Sequence, residues 1–210
     1  MGKIVFDAAV TLNGFLADEN HSLQWLFEVE GTDDPDPGLL PTDVAVHVEG
    51  ANTYLWVLEH EKFMDEPAKW QAYYGERPTY VFTHRDLPIP EGADVRFLQG
   101  QVAQHLPELR ATAGDGNIWV LGGGELLGQF LDIDELDELA LTIAPATVAS
   151  GASLLPRAIG STLLRRGRPG RLRDCDMTYA SAADFRRPRQ NTATAGPVVI
   201  PPLTRRIVPA

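Results

Sequence analysis

Short apolar runs alternate along the chain with segments in which apolar residues recur at helical spacing. The first run, KIVFDAAV, alternates Ile4 and Phe6 with Val5 and Asp7, as expected of a buried β-strand. The Asn13-Gly14 pair that follows predicts a turn. Further strands are predicted over residues 44–48, 78–83, 93–98, 117–121 and 138–145.

The segments between these strands carry the helical pattern. Helices are predicted over residues 23–30 with Ser22 as a cap, 51–63, 101–111 despite Pro107, and 125–132. At least five strands that alternate with helices predict an α/β domain whose sheet is at least partly parallel. After about residue 157 no clear period remains.

Composition narrows the class of protein. The chain has 210 residues, of which 44% are apolar and 22% charged, which suits one globular core with an appendage. No run approaches the roughly 18 apolar residues of a membrane span, and the N-terminus lacks the pattern of a secretory signal. The single cysteine, Cys175, excludes an internal disulfide and a multi-cysteine metal site. We therefore expect a cytoplasmic protein.

Charge is divided unevenly along the chain. Residues 1–156 hold 7 Lys/Arg against 26 Asp/Glu, a net charge of −19, whereas residues 157–210 carry +8. Because an acidic body repels polyanions, nucleic acid and anionic membranes are not expected partners. We predict a domain over residues 1–180 and a basic, Pro/Arg-rich tail over 181–210 outside the core. A basic arm lying against the acidic body and a shifted reading frame are the alternatives for that tail.

Three consecutive glycines at a strand-to-helix junction are the strongest chemical signal. Gly122, Gly123 and Gly124 allow close approach of a ligand to the backbone, and the following helix offers unpaired N–H groups, which together suit a phosphate or pyrophosphate. The segment is neither GxGxxG, since Leu127 takes the third position, nor a P-loop. A tight strand-to-helix turn is the alternative interpretation.

Two further junctions carry weaker signals. Gly50 and Thr53 stand where a strand meets a helix, so they either approach a phosphate or cap the helix. Thr83, His84 and Arg85 end another strand and place two potential cations in a loop, where they either meet a ribose phosphate or are merely solvated.

Asp7 is a carboxylate inside an apolar strand. Such a group must be paired, or protonated with a raised pKa, so Asp7 is a candidate proton donor as well as a candidate structural acceptor.

Other polar and aromatic residues receive structural interpretations. His47 and Glu49 imitate the H-x-E of zinc deaminases, but the required P-C-x-x-C is absent, so we expect the two side chains to pair and no metal to bind. The four tryptophans are predicted to lie in the core: Trp25, Trp56, Trp70 and Trp119.

Four segments together resemble the dihydrofolate reductase-like superfamily, and more closely the C-terminal reductase domain of the bifunctional riboflavin-biosynthesis deaminase/reductase. They are IVFDAAVTLNGFLA (4–17), EGANTYLW (49–56), TYVFTHR (79–85) and NIWVLGGGELLGQFLDIDELDELALTIAPATVASGASLLP (117–156). The resemblance implies a dihydrofolate reductase-like fold, α/β with a central mixed, mostly parallel sheet flanked by helices. It also implies NADPH as cofactor, a small heterocyclic substrate and a homodimer.

The resemblance also assigns candidate cofactor-binding residues. The nicotinamide is bordered by Ala9, Asn13, Leu16 and Ala17. The phosphates are approached by Gly50, Asn52 and Thr53, and the adenosine ribose by Thr83, His84 and Arg85. The pyrophosphate is cradled by Gly122, Gly123, Gly124, Glu125 and Leu126.

Departures from the family pattern qualify these expectations. Asn13 stands where the family has a carboxylate, and Ala51 stands where an arginine would meet the 2′-phosphate of NADPH. Arg85 and His84 are the possible replacements, and NADH is not excluded as cofactor. We expect an NAD(P)H-dependent reductase that transfers a hydride to a C=N or C=O group. The alternatives are a non-catalytic nucleotide-binding protein of the same fold and a structural dimer with a basic tail.

Overall fold

A computed structural model describes residues 1–29 and 40–158, together with the backbone of 177–180. The strands are β1 (Ile4–Thr11), β2 (Phe15–Asp18), β3 (Val44–Gly50), β4 (Thr79–Phe82), β5 (Val95–Leu98), β6 (Asn117–Gly122), β7 (Glu138–Ala144), β8 (Gly151–Ser153) and β9 (Met177–Ala180). The helices are α1 (Gln24–Phe27), α2 (Ala51–His60), α3 (Ala68–Tyr74), α4 (Val102–Ala113) and α5 (Gly124–Asp132). The tail predicted over 181–210 lies outside the described residues.

Seven strands form one sheet in the order β5-β4-β3-β6-β1-β7-β9. Every pairing described in this sheet is parallel, so neighbouring strands run in the same direction. Within the described ranges, antiparallel pairing is confined to the two-stranded ribbon of β2 and β8. The predicted α/β architecture with a mostly parallel sheet is confirmed.

Strand order reverses direction at the centre of the sheet. From β1 the chain moves out to β3, β4 and β5, then returns to insert β6 between β3 and β1 before adding β7 on the far side. The carboxyl ends of β1, β3 and β6 therefore lie side by side at a point where the connections diverge. Such a point in a parallel sheet is where ligands bind.

Apolar side chains cover both faces of the sheet. On one face Phe6, Val48 and Val120 are fully buried in a cluster that includes residues of α4 and α5. On the other face Val81 and Trp119 pack with residues of α2 and α3. Strand alternation explains this division, since consecutive residues point to opposite faces.

Most predicted elements appear within a few residues of their expected positions. The helix over 23–30 shrinks to the four residues of α1, and Leu23 rather than Ser22 takes its N-cap position, although Ser22 Oγ accepts a hydrogen bond from the N–H of Gln24 at 3.1 Å. The hydrophobic pattern did not predict α3, β2 and β8, because these elements are too short to show a clear repeat of apolar positions. No helix in the described part is long and apolar enough to cross a bilayer.

Candidate functional site

A cavity of about 340 Å³ opens at the carboxyl ends of β1 and β6. Its floor comes from these strands, and its sides come from the start of α2, the start of α5, the β2–β8 ribbon and the segment of α1. The lining residues are Ala8, Ala9, Leu16, Ala17, His21, Leu23, Trp25, Leu26, Asn52, Thr53, Trp56, Leu121, Gly122, Gly123, Gly124, Glu125, Ala152, Ser153 and Pro156.

Three glycines shape one side of the cavity, two for reasons of packing and one for its backbone conformation. A Cβ on Gly122 would lie 2.6 Å from Thr53 Oγ1, and a Cβ on Gly124 would collide with the Ser153 carbonyl oxygen. Gly123 has a φ of +97°, and a Cβ there would meet only Leu126, at 3.5 Å. Packing therefore explains Gly122 and Gly124, while Gly123 supplies the turn and leaves open space beside the backbone. We call Gly122–Gly124 with Asn52 and Thr53 the glycine wall.

The first turn of α5 presents backbone donors at this wall. The first bond inside the helix runs from the N–H of Leu127 to the carbonyl oxygen of Gly123, at 2.9 Å. The N–H groups of residues 124–126 precede that bond, so the helix itself gives them no acceptor. Together with the positive end of the helix dipole, they suit an anion.

An acidic side chain stands at the same helix start. Glu125 lines the cavity, and its carboxylate is bound by Arg157. These hydrogen bonds from Arg157 lower the pKa of Glu125. An ion pair therefore lies beside the glycine wall, at a place where an unpaired carboxylate would repel a phosphate.

The start of α2 forms the other part of the glycine wall. Gly50 is the N-cap, and no side chain caps the helix, so the capping role considered for Thr53 is not observed. Arg85 Nη2 donates to Asn52 Oδ1 at 2.9 Å, and Asn52 Nδ2 lies 3.4 Å from His21 Nε2. Asn52 thus joins a guanidinium and an imidazole at the cavity.

Nine of the predicted site residues lie in the cavity lining. They are Ala9, Leu16, Ala17, Asn52, Thr53, Gly122, Gly123, Gly124 and Glu125. The seven outside it are Asp7, Asn13, Gly50, Thr83, His84, Arg85 and Leu126. Of these, Arg85 reaches the lining through Asn52, whereas Leu126 is 4% exposed and packs in the core.

Asn13 has structural partners at both ends of its amide. Its Nδ2 donates to the Val148 carbonyl oxygen at 2.7 Å, and its Oδ1 accepts from Thr11 Oγ1 at 2.9 Å. A carboxylate could not donate the first of these bonds, so the structure gives a physical reason for the amide. Asn13 ties the turn after β1 to the loop that precedes β8.

Asp7 lies on the same face of β1 as Ala9 but outside the cavity lining. Burial, and then repulsion from Glu138, raises the pKa of Asp7 from 3.8 to about 7. Burial thus acts on Asp7 in the direction that the sequence predicts. Ala8 and Ala9, and not Asp7, form the part of β1 that lines the cavity.

His47 and Glu49 are both buried on one face of β3, but they do not pair. Both carboxylate oxygens of Glu49 and Nδ1 of His47 have no hydrogen-bond partner among the described residues. Burial raises the pKa of Glu49 to about 8 and, with the charge of Arg77, lowers the pKa of His47 to about 3. The predicted pairing is wrong, because neither carboxylate oxygen of Glu49 accepts a hydrogen bond from His47. The His47 ring instead contacts the rings of Tyr74 and Trp119. The described residues also contain no cluster that could hold a metal ion.

Two of the tryptophans predicted to be core residues also line the cavity. Trp70 and Trp119 lie in one core cluster, Trp25 is buried in another, and Trp56 is half-buried against the first. Trp25 and Trp56 form part of the cavity surface as well, and their place in the lining was not predicted. His21, Leu23, Leu26, Ser153 and Pro156 were likewise not identified. No local motif marks these positions, because they meet only through the packing of α1, α2 and the β2–β8 ribbon.

Comparisons with known proteins find one matching family and two similar bacterial proteins. Residues 41–166 match the family described as RibD C-terminal domain. The chain is 31% identical over 163 residues to the uncharacterized protein YwjB of Bacillus subtilis, covering 78% of this chain and 88% of YwjB. It is 27% identical over 160 residues to the uncharacterized protein YyaP of the same organism, covering 72% of this chain and 79% of YyaP.

A solved structure supports the same relationship. The crystal structure of a putative riboflavin biosynthesis protein from Shewanella sp. PV-4 superposes with a TM-score of 0.55 at 26% sequence identity, covering 77% of this chain and 86% of that one. Sequence and fold therefore point to the same group of proteins.

Proposed function

The chain belongs to the RibD C-terminal domain family, and from that premise we propose that it is a reductase that uses NADPH to reduce a C=N or C=O bond of a small heterocycle. Pyrimidines, pterins and flavin precursors are the candidate substrates. The observation that carries the proposal is the cavity at the strand ends, where the glycine wall and the start of α5 form one side.

The residues present fit a dinucleotide. The backbone at Gly123 is open to a ligand, the first turn of α5 offers N–H donors, and Thr53 adds a hydroxyl to the same wall. These groups would hold the pyrophosphate. When bound, NADPH supplies the hydride: it is oxidised to NADP⁺ while the carbon of the substrate double bond gains the hydride and its nitrogen or oxygen gains a proton.

Recognition of the 2′-phosphate is assigned to Arg85. Ala51 cannot provide the guanidinium of the family pattern, and Arg85 is fixed against Asn52 in the glycine wall. His84 is exposed beside it. Because a guanidinium is permanently charged and suits phosphate geometry, Arg85 is the better placed of the two predicted replacements.

The proton-donor role of Asp7 is a separate proposal. It is supported by the raised pKa, which keeps part of the population protonated near neutral pH, and by the strand face shared with Ala9.

Titration with NADPH tests the proposed function directly. Calorimetry on the full chain should show saturable NADPH binding, and NADPH absorbance should fall when a candidate heterocycle is added. Binding without oxidation by any candidate would favour the non-catalytic alternative, and absence of dinucleotide binding would overturn the proposal. The homodimer implied by the resemblance stays a prediction, which sedimentation equilibrium would check.

A further inference from the structure

The side of the cavity formed by α1 and α2 is apolar and aromatic. Leu23, Trp25, Leu26 and Trp56 contribute it, and we call these four residues the apolar wall. Trp25 and Leu26 are 7% and 6% exposed and pack against Ala144, which anchors α1 beneath the cavity.

Ring stacking fixes the position of Trp56. Its ring lies 4.4 Å from that of His60 with an interplanar angle of 14°, and the His60 ring lies 5.2 Å from that of Phe27 at 11°. The stack connects α2 to α1 through side chains that lie nearly parallel. The apolar wall therefore presents a preformed flat surface, which favours a flat ligand.

The charges around the cavity lie away from this wall. Among the described lining residues none is Lys or Arg; Glu125 is bound to Arg157, and the remaining titratable side chain is His21. Arg85 approaches only through Asn52, at the glycine wall. Within the part of the chain that the structure describes, the groups near the cavity that can hold a phosphate are the start of α5 and Arg85, and the proposed function assigns both to the dinucleotide.

A substrate phosphate that faced this wall would lie against Trp and Leu side chains. An anion that is desolvated without a counter-charge costs several kcal/mol, which is far more than stacking of the ring would return. A neutral ring meets no such cost, because apolar side chains and one or two polar contacts are what small-molecule pockets usually provide. The apolar wall therefore favours a neutral ring over a ring that carries a phosphate.

We propose that the substrate of this cavity is an uncharged, planar heteroaromatic molecule that carries no phosphate. The proposal rests on the proposed function, because it leaves the glycine wall to NADPH and gives the apolar wall to the substrate. The ring would lie along Trp56, with the double bond to be reduced directed toward the glycine wall.

A matched pair of probes tests this substrate class. 1-Naphthol and 1-naphthyl phosphate share one planar ring system and differ by the phosphate, and each is titrated by calorimetry into protein saturated with NADP⁺. We expect 1-naphthol to bind at least about tenfold more tightly than the phosphate. Equal or tighter binding of the phosphate, or no binding of 1-naphthol, would overturn the proposal.

Variants locate the binding and separate this proposal from the proposed function. Trp56→Leu should weaken 1-naphthol binding about fivefold or more while NADP⁺ binding is unchanged, and Trp56→Arg should reverse the preference toward 1-naphthyl phosphate. Phe97→Leu, in the core cluster under α2 and α3, is the control and should change neither. If Trp56→Leu leaves 1-naphthol binding unchanged, the apolar wall is not the site. Failure of NADP⁺ to bind the wild-type chain would instead overturn the proposed function.

Discussion

Arg157 binds Glu125 through two hydrogen bonds, from Nη2 to Oε1 at 2.7 Å and from Nη1 to Oε2 at 2.8 Å. The same guanidinium donates from Nε to Asp132 at 3.0 Å, so it spans the first and last turns of α5. It also lies across Gly128, where a Cβ would stand 2.8 Å from Arg157 Cζ. Arg157 is therefore held where it neutralises Glu125, the one carboxylate among the described residues of the cavity lining.

Arg157→Gln should weaken dinucleotide binding by about three- to tenfold, because it leaves the Glu125 charge unpaired beside the proposed pyrophosphate site. The double variant Arg157→Gln/Glu125→Gln should regain most of the lost affinity, since it removes the repulsion as well as the cation. NADP⁺ titrations at low and high salt measure the effect, which screening should reduce.

Lys3→Gln provides the control for this pair. It breaks the ion pair between Lys3 and Glu138, which are 3.0 Å apart at the amino ends of β1 and β7, and should leave NADP⁺ affinity unchanged. If the double variant binds as weakly as Arg157→Gln, Arg157 acts through packing or through direct contact rather than through Glu125.

Gly123 and Gly124 should respond differently to substitution. Gly123→Ala and Gly123→Asp share the strain of a φ of +97°, but only Asp brings a negative charge to the glycine wall. We expect Gly123→Asp to bind NADPH at least about tenfold more weakly than Gly123→Ala. Gly124→Ala should instead lower thermal stability, because its Cβ would meet the carbonyl oxygens of Ser153 and Leu154.

Fluorescence titration and circular dichroism on the three variants separate the two roles. If natively folded Gly123→Ala and Gly123→Asp bind NADPH with equal affinity, the pyrophosphate of the cofactor does not lie beside Gly123.

The sequence predicted the sheet and part of the cavity for a definite physical reason. Buried parallel strands such as NIWVLG appear in the sequence as continuous apolar runs. Glycines at a strand end indicate the local backbone geometry. Each of these signals can be recognised from a few consecutive residues. The opposite side of the cavity could not be predicted in this way. Trp25 and Trp56 are 31 positions apart and become one surface only when α1 packs beside α2.

Asn13 and Glu49 show a second limit of sequence reasoning. The amide of Asn13 is explained by its bond to Val148, 135 positions away, which no local pattern reveals. Glu49 looks like a partner for His47 by strand alternation, yet alternation fixes only the face and not the distance between side chains.

Arg85→Ala should reduce the preference for NADPH over NADH about fivefold or more, whereas His84→Ala should leave the preference almost unchanged. Both side chains are exposed, but Arg85 donates a hydrogen bond to Asn52 that holds its guanidinium against the glycine wall. Nothing comparable holds His84 among the described residues. Affinities of both nucleotides for wild type and both variants measure the preference. A strong NADPH preference that survives in Arg85→Ala would show that another group binds the 2′-phosphate.

Asp7→Asn should change how stability depends on pH. Because the pKa of Asp7 is raised from 3.8 to about 7, the folded chain keeps a proton that the unfolded chain releases between those values. The free energy of unfolding therefore falls as pH rises through this window, by at most about 1.4 kcal/mol per pH unit, and the fall ends above the folded pKa. Below pH 3.8 the carboxyl is protonated in both states and contributes nothing.

The asparagine variant does not titrate, so its stability relative to wild type should rise between pH 4 and pH 7 and then level off. Urea unfolding of both proteins across this range measures the difference, in which the titration of Glu49 cancels because both proteins contain it. Since Asp7 is only half-buried, we expect the total change to be about 1–3 kcal/mol. A flat difference would mean that Asp7 ionises at its ordinary pKa. Its proton-donor role would then lose the property that supports it, and a wild-type rate of NADPH oxidation in folded Asp7→Asn protein would end that role outright.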